Sequence, residues 1–214
     1  MLLNLERLDF LIAQHVAGSL PEPAEILVGS HLEMQRSSRR FADALEAMAG
    51  DALEQAEAVP LTSRDKQLAN IMTSAPMAAT PESRNHEATK LPSPLFRYTG
   101  RDLPQIPWKT KLPGFKQHVI SRTDEAEASL LWVRPGRALP HHSHHGLELT
   151  LVLEGEFHDH RGNFSEGAVS VADESLDHRP VAGTNRPCVC FSVLFAPIAL
   201  TGPTLRLVSD IIGL

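Results

Sequence analysis

The chain has 214 residues, enough for one large domain or two small ones, and 42% of them are apolar, so a sizeable core can be buried. Its formal net charge of −6, with eleven neutral histidines, gives no basic footprint for nucleic acid and no attraction to an anionic membrane surface. No apolar run reaches the roughly 18 residues of a membrane-spanning helix. The start, Met1-Leu2-Leu3-Asn4-Leu5-Glu6-Arg7, lacks the basic, apolar and small-residue regions of a secretory signal, so a cytoplasmic location is expected.

The first part of the chain reads as helical. Leu5, Leu8, Leu11, Ile12 and Val16 recur at three- and four-residue steps, and Gly18 stands where a helix would end. Pro21-Glu22-Pro23 opens a second helix, with Ile26, Leu27, Ser30 and Met34 on its stripe. A third is expected from about Ser38 to Met48, with Phe41, Leu45 and Met48 on one side, and Gly50 as its break. Thr62-Ser63-Arg64-Asp65 has the spacing of a capping box and begins a short fourth helix with Leu68, Ile71 and Met72. Helices this short need tertiary packing to persist. Their stripes suit either a small self-contained bundle or, in part, a partner protein.

Residues 73–95 are rich in proline and small polar side chains, which marks a linker. Beyond it the period becomes two. Phe115–Ile120, Ser129–Val133, Leu147–Leu153, Ala168–Val171 and Cys188–Phe195 read as strands between turn residues, the pattern of a sandwich or barrel. The tail from Thr204 to Leu214 is amphipathic and is expected to close the fold as a helix or strand.

The chemistry concentrates in Pro140-His141-His142-Ser143-His144-His145-Gly146-Leu147-Glu148. Histidines two apart on a strand share a face, so His142 and His144 can reach one ion. Gly146 permits a turn, and Glu148 can close on the same ion from the next strand. Imidazoles and a carboxylate suit zinc, iron, nickel, manganese or copper. By the same parity His141 and His145 face solvent. His158 and His160 sit beside the Arg161-Gly162-Asn163 turn and are expected at an exposed hairpin tip, while His118 is a candidate core residue or support for a ligand. Cys188 and Cys190 share a face of an apolar strand. They read either as small buried hydrophobes or as a redox pair near the metal, and a bridge between them would strain an extended strand.

Gly136, the His142-x-His144 pair, Glu148 and Gly155 also resemble the first cupin motif. The second cupin motif supplies one more histidine from a later strand, and Asp177-His178-Arg179-Pro180 offers His178. The implied metal ligands are therefore His142, His144, Glu148 and His178.

With the helices and linker in front, the whole chain resembles the ChrR family of anti-sigma factors. Ala17-Gly18-Ser19-Leu20, His31, Gly146–Leu153, His178–Ala182 and the Cys188-x-Cys190 pair carry the likeness. The resemblance implies an N-terminal domain that holds an extracytoplasmic-function sigma factor away from RNA polymerase. It also implies a cupin required for release in response to singlet oxygen or organic hydroperoxide. The family's best-known type binds zinc in both domains, the N-terminal one through His-x3-Cys-x2-Cys and a further histidine near the start. Here His31 remains, but Gln35 and Ser38 occupy the cysteine positions and Asn4, Leu5 and Glu6 replace the early histidine. One histidine does not hold a structural zinc. The N-terminal domain is thus expected to be zinc-free and held by packing, with His31 an ordinary helix residue.

The expected architecture is α+β with two domains: a small α-helical bundle (1–75), a proline-rich linker (76–95) and a C-terminal all-β cupin jelly-roll barrel (96–214). The expected function is that of a cytoplasmic, non-enzymatic anti-sigma factor. It would bind a sigma factor rather than nucleic acid or membrane, and carry one divalent metal in the cupin, zinc first, otherwise iron, nickel or manganese. The alternatives are a dioxygenase-like cupin metalloenzyme and a small-molecule-binding cupin.

Overall fold

The computed structural model describes residues 2–60, 62–75 and 89–200. Helix-breaking residues delimit the first elements. Helix α1 (Leu2–Val16) gives way to Gly18, whose φ of 64° is a conformation that glycine adopts without steric cost. Pro21 caps α2 (Glu22–Met34), and Pro23 lies in its first turn, where no backbone donor is missed.

The third helix, α3, runs Arg36–Glu54, straight through Gly50. A single glycine costs a helix interior only about 1 kcal/mol against alanine. That is too little to end a helix whose exposed face carries Arg39 paired with both Asp43 and Glu46. Helix α4 (Arg64–Thr73) forms as expected, but the capping box does not. Ser63 is its N-cap, at a φ of 65°, and makes no side-chain capping bond.

The end of the proline-rich stretch is structured. Helix α5 (Ser93–Thr99) begins within it, Leu91 and Leu95 are buried, and the backbone N–H of Ser93 donates to the Glu33 carboxylate of α2. The rest of the expected linker, residues 76–88, and the amphipathic tail from residue 204 lie outside the described residues.

After a short 3-10 turn at Leu103–Gln105, the regular elements among the described residues are all strands: β1 (Lys109–Leu112), β2 (Phe115–Arg122), β3 (Glu127–Val133), β4 (His142–His144), β5 (Glu148–Glu154), β6 (Glu156–Asp159), β7 (Gly162–Ser165), β8 (Val169–Ala172), β9 (Asp177–His178), β10 (Val181–Ala182), β11 (Cys188–Leu194) and β12 (Ile198–Leu200). They form an antiparallel six-stranded sheet, β1-β2-β3-β11-β5-β8, and two three-stranded sheets, β10-β6-β7 and β12-β4-β9. Among the described residues the jelly roll is thus a sandwich of separate sheets, whose strands are not hydrogen-bonded round into a closed barrel.

The large sheet is buried on both faces. On one face Ala128, Leu130, Leu149, Leu151, Val169, Val171, Phe191 and Val193 share a core with Leu8, Leu11 and Ile12 of α1, Leu27, Val28 and Leu32 of α2 and Leu95 of α5. On the other, Phe115, Val133, Val152, Cys188 and Cys190 pack toward Phe157, Phe164 and Ala182 of the smaller sheet. Burial on both faces explains why β5 reads as a continuous apolar run rather than an alternation. The helices are therefore not a free-standing bundle. Part of their apolar surface covers the cupin.

Polar contacts complete the junction at the free edge of β8. The Asn4 side chain spans that edge as a neighbouring strand would: Nδ2 donates to the Val169 carbonyl (2.9 Å) and Oδ1 accepts from the Val171 N–H (2.7 Å). Gln35 Nε2 donates to the Glu166 carbonyl at 3.0 Å, and Arg7 pairs with Asp173 at 2.6 Å. His31, expected as an ordinary helix residue, is only 3% exposed, and its Nδ1 lies 2.7 Å from the Gly167 carbonyl oxygen. Gly167 has a φ of 81°, and a Cβ there would collide with the Gln35 amide, so glycine is required twice over.

Candidate metal centre

Strand pairing brings the histidines together. His142 and His144 project from β4 on the same side, and β4 runs antiparallel to β9 with His142 opposite His178. Glu148 opens β5 after the turn at Gly146, where a Cβ would lie 2.9 Å from that of Ala196. One donor atom from each of His142, His144, Glu148 and His178 lies within 4.8 Å of the others, the only such group among the described residues.

The hydrogen bonds around the cluster fix which atoms face inward. His142 Nδ1 lies 2.9 Å from the Pro140 carbonyl, which only accepts, so Nδ1 carries the proton and Nε2 a lone pair. His178 Nδ1 donates to Asp159 Oδ2 at 2.8 Å, again leaving a bare Nε2. These two Nε2 atoms are 3.1 Å apart, and His144 Nε2 is 3.2 Å from that of His178. Between neutral rings, two lone pairs at that distance repel unless a cation, a proton or a metal ion, lies between them. His144 Nδ1 is 3.3 Å from Glu148 Oε2, yet has no hydrogen-bonding geometry to it or to another group. A buried nitrogen left without a partner, beside converging lone pairs, is what a metal-type donor set looks like without its ion. The residues present fit such an ion, and the cluster suggests a metal site.

Electrostatics favour the same state. Burial depresses the basicity of His142, only partly offset by the Glu148 carboxylate. Burial likewise lowers His144 to about 4, against the opposing pull of Glu148 and with help from the neighbouring imidazoles. Both rings are therefore neutral at pH 7, the form that ligates. Glu148 is oriented by Thr150 Oγ1 (3.1 Å) and Ser192 Oγ (3.2 Å), which both donate to Oε1 and leave Oε2 toward the histidines.

Asp159 and Arg161 are the functional residues that sequence reasoning passed over. The Asp159 carboxylate is fully buried. Burial would raise its pKa, but hydrogen bonds from His178 and Arg161 outweigh it and hold the group well below the usual carboxylate range. The signal was available in the parity: His158 and His160 are exposed, as expected, so the residue between them points inward.

His141 and His145 are exposed, and His141 pairs with Asp177 at 2.8 Å. His118 neither supports a ligand nor sits in the core. It lies on the face of β2 away from the cluster, half-buried, with its basicity lowered by burial and by Arg101 and Lys109. Cys188 and Cys190 are buried with Sγ atoms 3.5 Å apart. They line the same cavity as His142, Glu148 and His178, about 100 Å³ in volume.

A jelly roll with a three-histidine, one-carboxylate cluster, roofed on one face by N-terminal helices, defines a cupin protein joined to a helical domain. The chain is 36% identical over 191 residues to the anti-sigma-E factor ChrR of Cereibacter sphaeroides, across 89% of each chain. It belongs to the ChrR family. The family model described as the ChrR cupin-like domain matches residues 99–196. The fold is similar, at a TM-score of 0.73 and 35% identity, to the crystal structure of Rhodobacter sphaeroides SigE in complex with the anti-sigma ChrR, covering 87% of this chain and 96% of that one. An acetylacetone dioxygenase from Acinetobacter johnsonii is a distant neighbour, 9% identical with a TM-score of 0.39 over 42% of this chain and 64% of its own. That likeness carries nothing about activity. No described helix is long and apolar enough to cross a membrane.

Proposed function

We propose that this protein is a cytoplasmic anti-sigma factor, not an enzyme, that sequesters an extracytoplasmic-function sigma factor and releases it when its cupin meets an oxidant. The observation that carries the reading is the likeness to an anti-sigma factor along both the helical and the β parts of the chain. Surface chemistry agrees with it. Helix α4 buries none of its residues, and Leu68, Ile71 and Met72 are 48%, 68% and 78% exposed; Phe41, Met48 and Leu53 of α3 are exposed as well. An amphipathic helix with an uncovered apolar face suits docking against the helices of a partner. The test is co-purification with the sigma factor encoded beside its gene. A stable one-to-one complex is expected, and no complex under reducing, metal-replete conditions defeats the reading.

The cupin is proposed to bind one zinc through His142, His144, Glu148 and His178, with metal analysis separating zinc from iron, nickel or manganese. A bound zinc would supply positive charge to the converging lone pairs and hold β4, β5 and β9 together. The N-terminal domain is proposed to be zinc-free, with the proposed boundaries 1–75, 76–95 and 96–214. Cys188 and Cys190 are proposed as a redox pair beside the metal that meets the oxidant only when the cavity holding them opens. A hydroperoxide taking two electrons from the pair leaves as alcohol and water while the two sulfurs join. Their 3.5 Å separation must then close to about 2 Å, which distorts β11. Val189, between them, and Phe191, just after them, face the helices. A distorted β11 therefore disturbs the surface on which α1 and α2 rest.

A further inference from the structure

A continuous run of hydrogen bonds leads from the metal cluster to the first helix. His178 donates from Nδ1 to Asp159 Oδ2. Arg161 binds the same carboxylate through Nη2 at 2.7 Å and its backbone N–H at 2.8 Å. The guanidinium then crosses to β8, where Nη1 donates to the Val171 carbonyl at 2.9 Å and Nη2 to Ser170 Oγ at 2.8 Å. The N–H of that same Val171 is held by Asn4 of α1. Strand β8 also pairs with β5, with Glu148 opposite Ala172 and Thr150 opposite Ser170. Thus β8 is held along one edge by β5, the strand of Glu148, and along the other by Arg161 and Asn4, which share the backbone of Val171.

We propose that Asp159 and Arg161 are positioning residues that tie the orientation of His178 to strand β8, so that metal binding in the cupin and docking of α1 on that strand reinforce each other. The proposal rests on the cluster being a metal site. Its physical basis is geometric. Asp159 and Arg161 are salt-bridged with side chains 0% and 16% exposed, so neither end shifts without the other losing a charge-assisted bond. A ring held by a buried carboxylate binds metal in one orientation, and groups behind a ligand commonly change metal affinity about 10–100-fold. Two events that share such an element must affect each other by the same factor in both directions.

The experiment uses the full-length protein and zinc. Zinc affinity is measured by competition with a chromophoric chelator, and backbone hydrogen exchange across α1 is followed with and without zinc. Zinc is expected to slow exchange in α1 of the unmodified protein. Asn4→Ala, remote from the cluster, is expected to weaken zinc about five-fold or more. Phe10→Ala, an exposed position on the same helix, leaves zinc affinity unchanged. Arg161→Ala weakens zinc about ten-fold and abolishes the effect of zinc on α1 exchange. If zinc binds tightly but α1 exchange does not respond, or Asn4→Ala binds zinc like the unmodified protein, the linkage is wrong and the metal site stands. If the unmodified protein binds no zinc, the metal reading fails and the linkage with it. Neither conclusion depends on the Arg161 variant folding.

Discussion

His31 and Gly167, 136 positions apart in the chain, are joined through the imidazole Nδ1 and the backbone carbonyl at 2.7 Å. In the family pattern this histidine belongs to a zinc motif. Here it fastens helix α2 to the β domain, beside Gln35, which stands at a cysteine position and reaches the Glu166 carbonyl. Truncating His31 to alanine leaves the Gly167 carbonyl with no buried donor. The expected loss is about 1–3 kcal/mol of stability, read from the midpoint of denaturant unfolding. An unchanged midpoint would show that packing alone holds the junction.

The same residue predicts an acid dependence. Burial lowers the pKa of His31 below 6.5, only partly countered by the bond to Gly167. Its Nε2 is buried without a partner, so protonation would place an unmatched charge there. A depressed folded pKa means the unfolded chain binds the proton more readily. The contribution is complete above about pH 6.5 and is lost as pH falls below that toward the lower folded value. His31→Gln should flatten the stability profile in this window. A profile identical to that of the unmodified protein would contradict this.

Each metal-cluster residue carries a prediction of stoichiometry. Purified protein is expected to contain one metal per chain, and His142→Ala, His144→Ala or His178→Ala to fall well below half of that by elemental analysis. Glu148→Gln keeps the shape but removes the charge, and should weaken binding rather than abolish it. Full metal content in any of the histidine variants would remove that residue from the ligand set.

On the partner surface, Ile71→Asp together with Met72→Asp should weaken sigma-factor binding about ten-fold or more, because charge is buried in the complex. Both positions are exposed in the free protein, so its melting temperature should stay within a degree or two. Calorimetric titration with the sigma factor checks the first part and thermal unfolding the second.

The contiguous part of the cluster was legible because two short strands and one glycine turn set it: His142 and His144 by parity, Glu148 by spacing. His178 needed motif likeness, since only the pairing of β4 with β9 shows that it meets His142. Parity alone turns Asp159 inward, but its role and that of Arg161 were not legible, because the bonds that give them one reach across to other strands. The covering of the sheet by helices was half-visible in the unbroken run Leu149–Leu153. Such a run signals burial on both faces but does not say what lies on the second one. Gly50 misled, since a breaker in isolation is only a small penalty in a long helix.

The thiols predict a protected pair. The hydrogen bond with the Cys188 sulfur, and then burial, raise Cys190 well above the usual thiol range. Alkylation by iodoacetamide at pH 8 should therefore be slow in the folded protein and fast in denaturant. Rapid modification of the folded state would mean that the cavity opens more readily than the structure implies.

Strand β11 alternates Cys188, Cys190 and Ser192 toward the cavity with Val189, Phe191 and Val193 toward the helices. Deleting a single residue at its start would exchange the two sets, bringing a phenylalanine ring against Glu148 and two sulfurs beneath α2. Such a frameshift in space preserves composition and hydropathy almost unchanged, yet it ruins both surfaces together. Point changes can drift on one side of this strand; indels cannot, and the helical and β parts must inherit its spacing jointly.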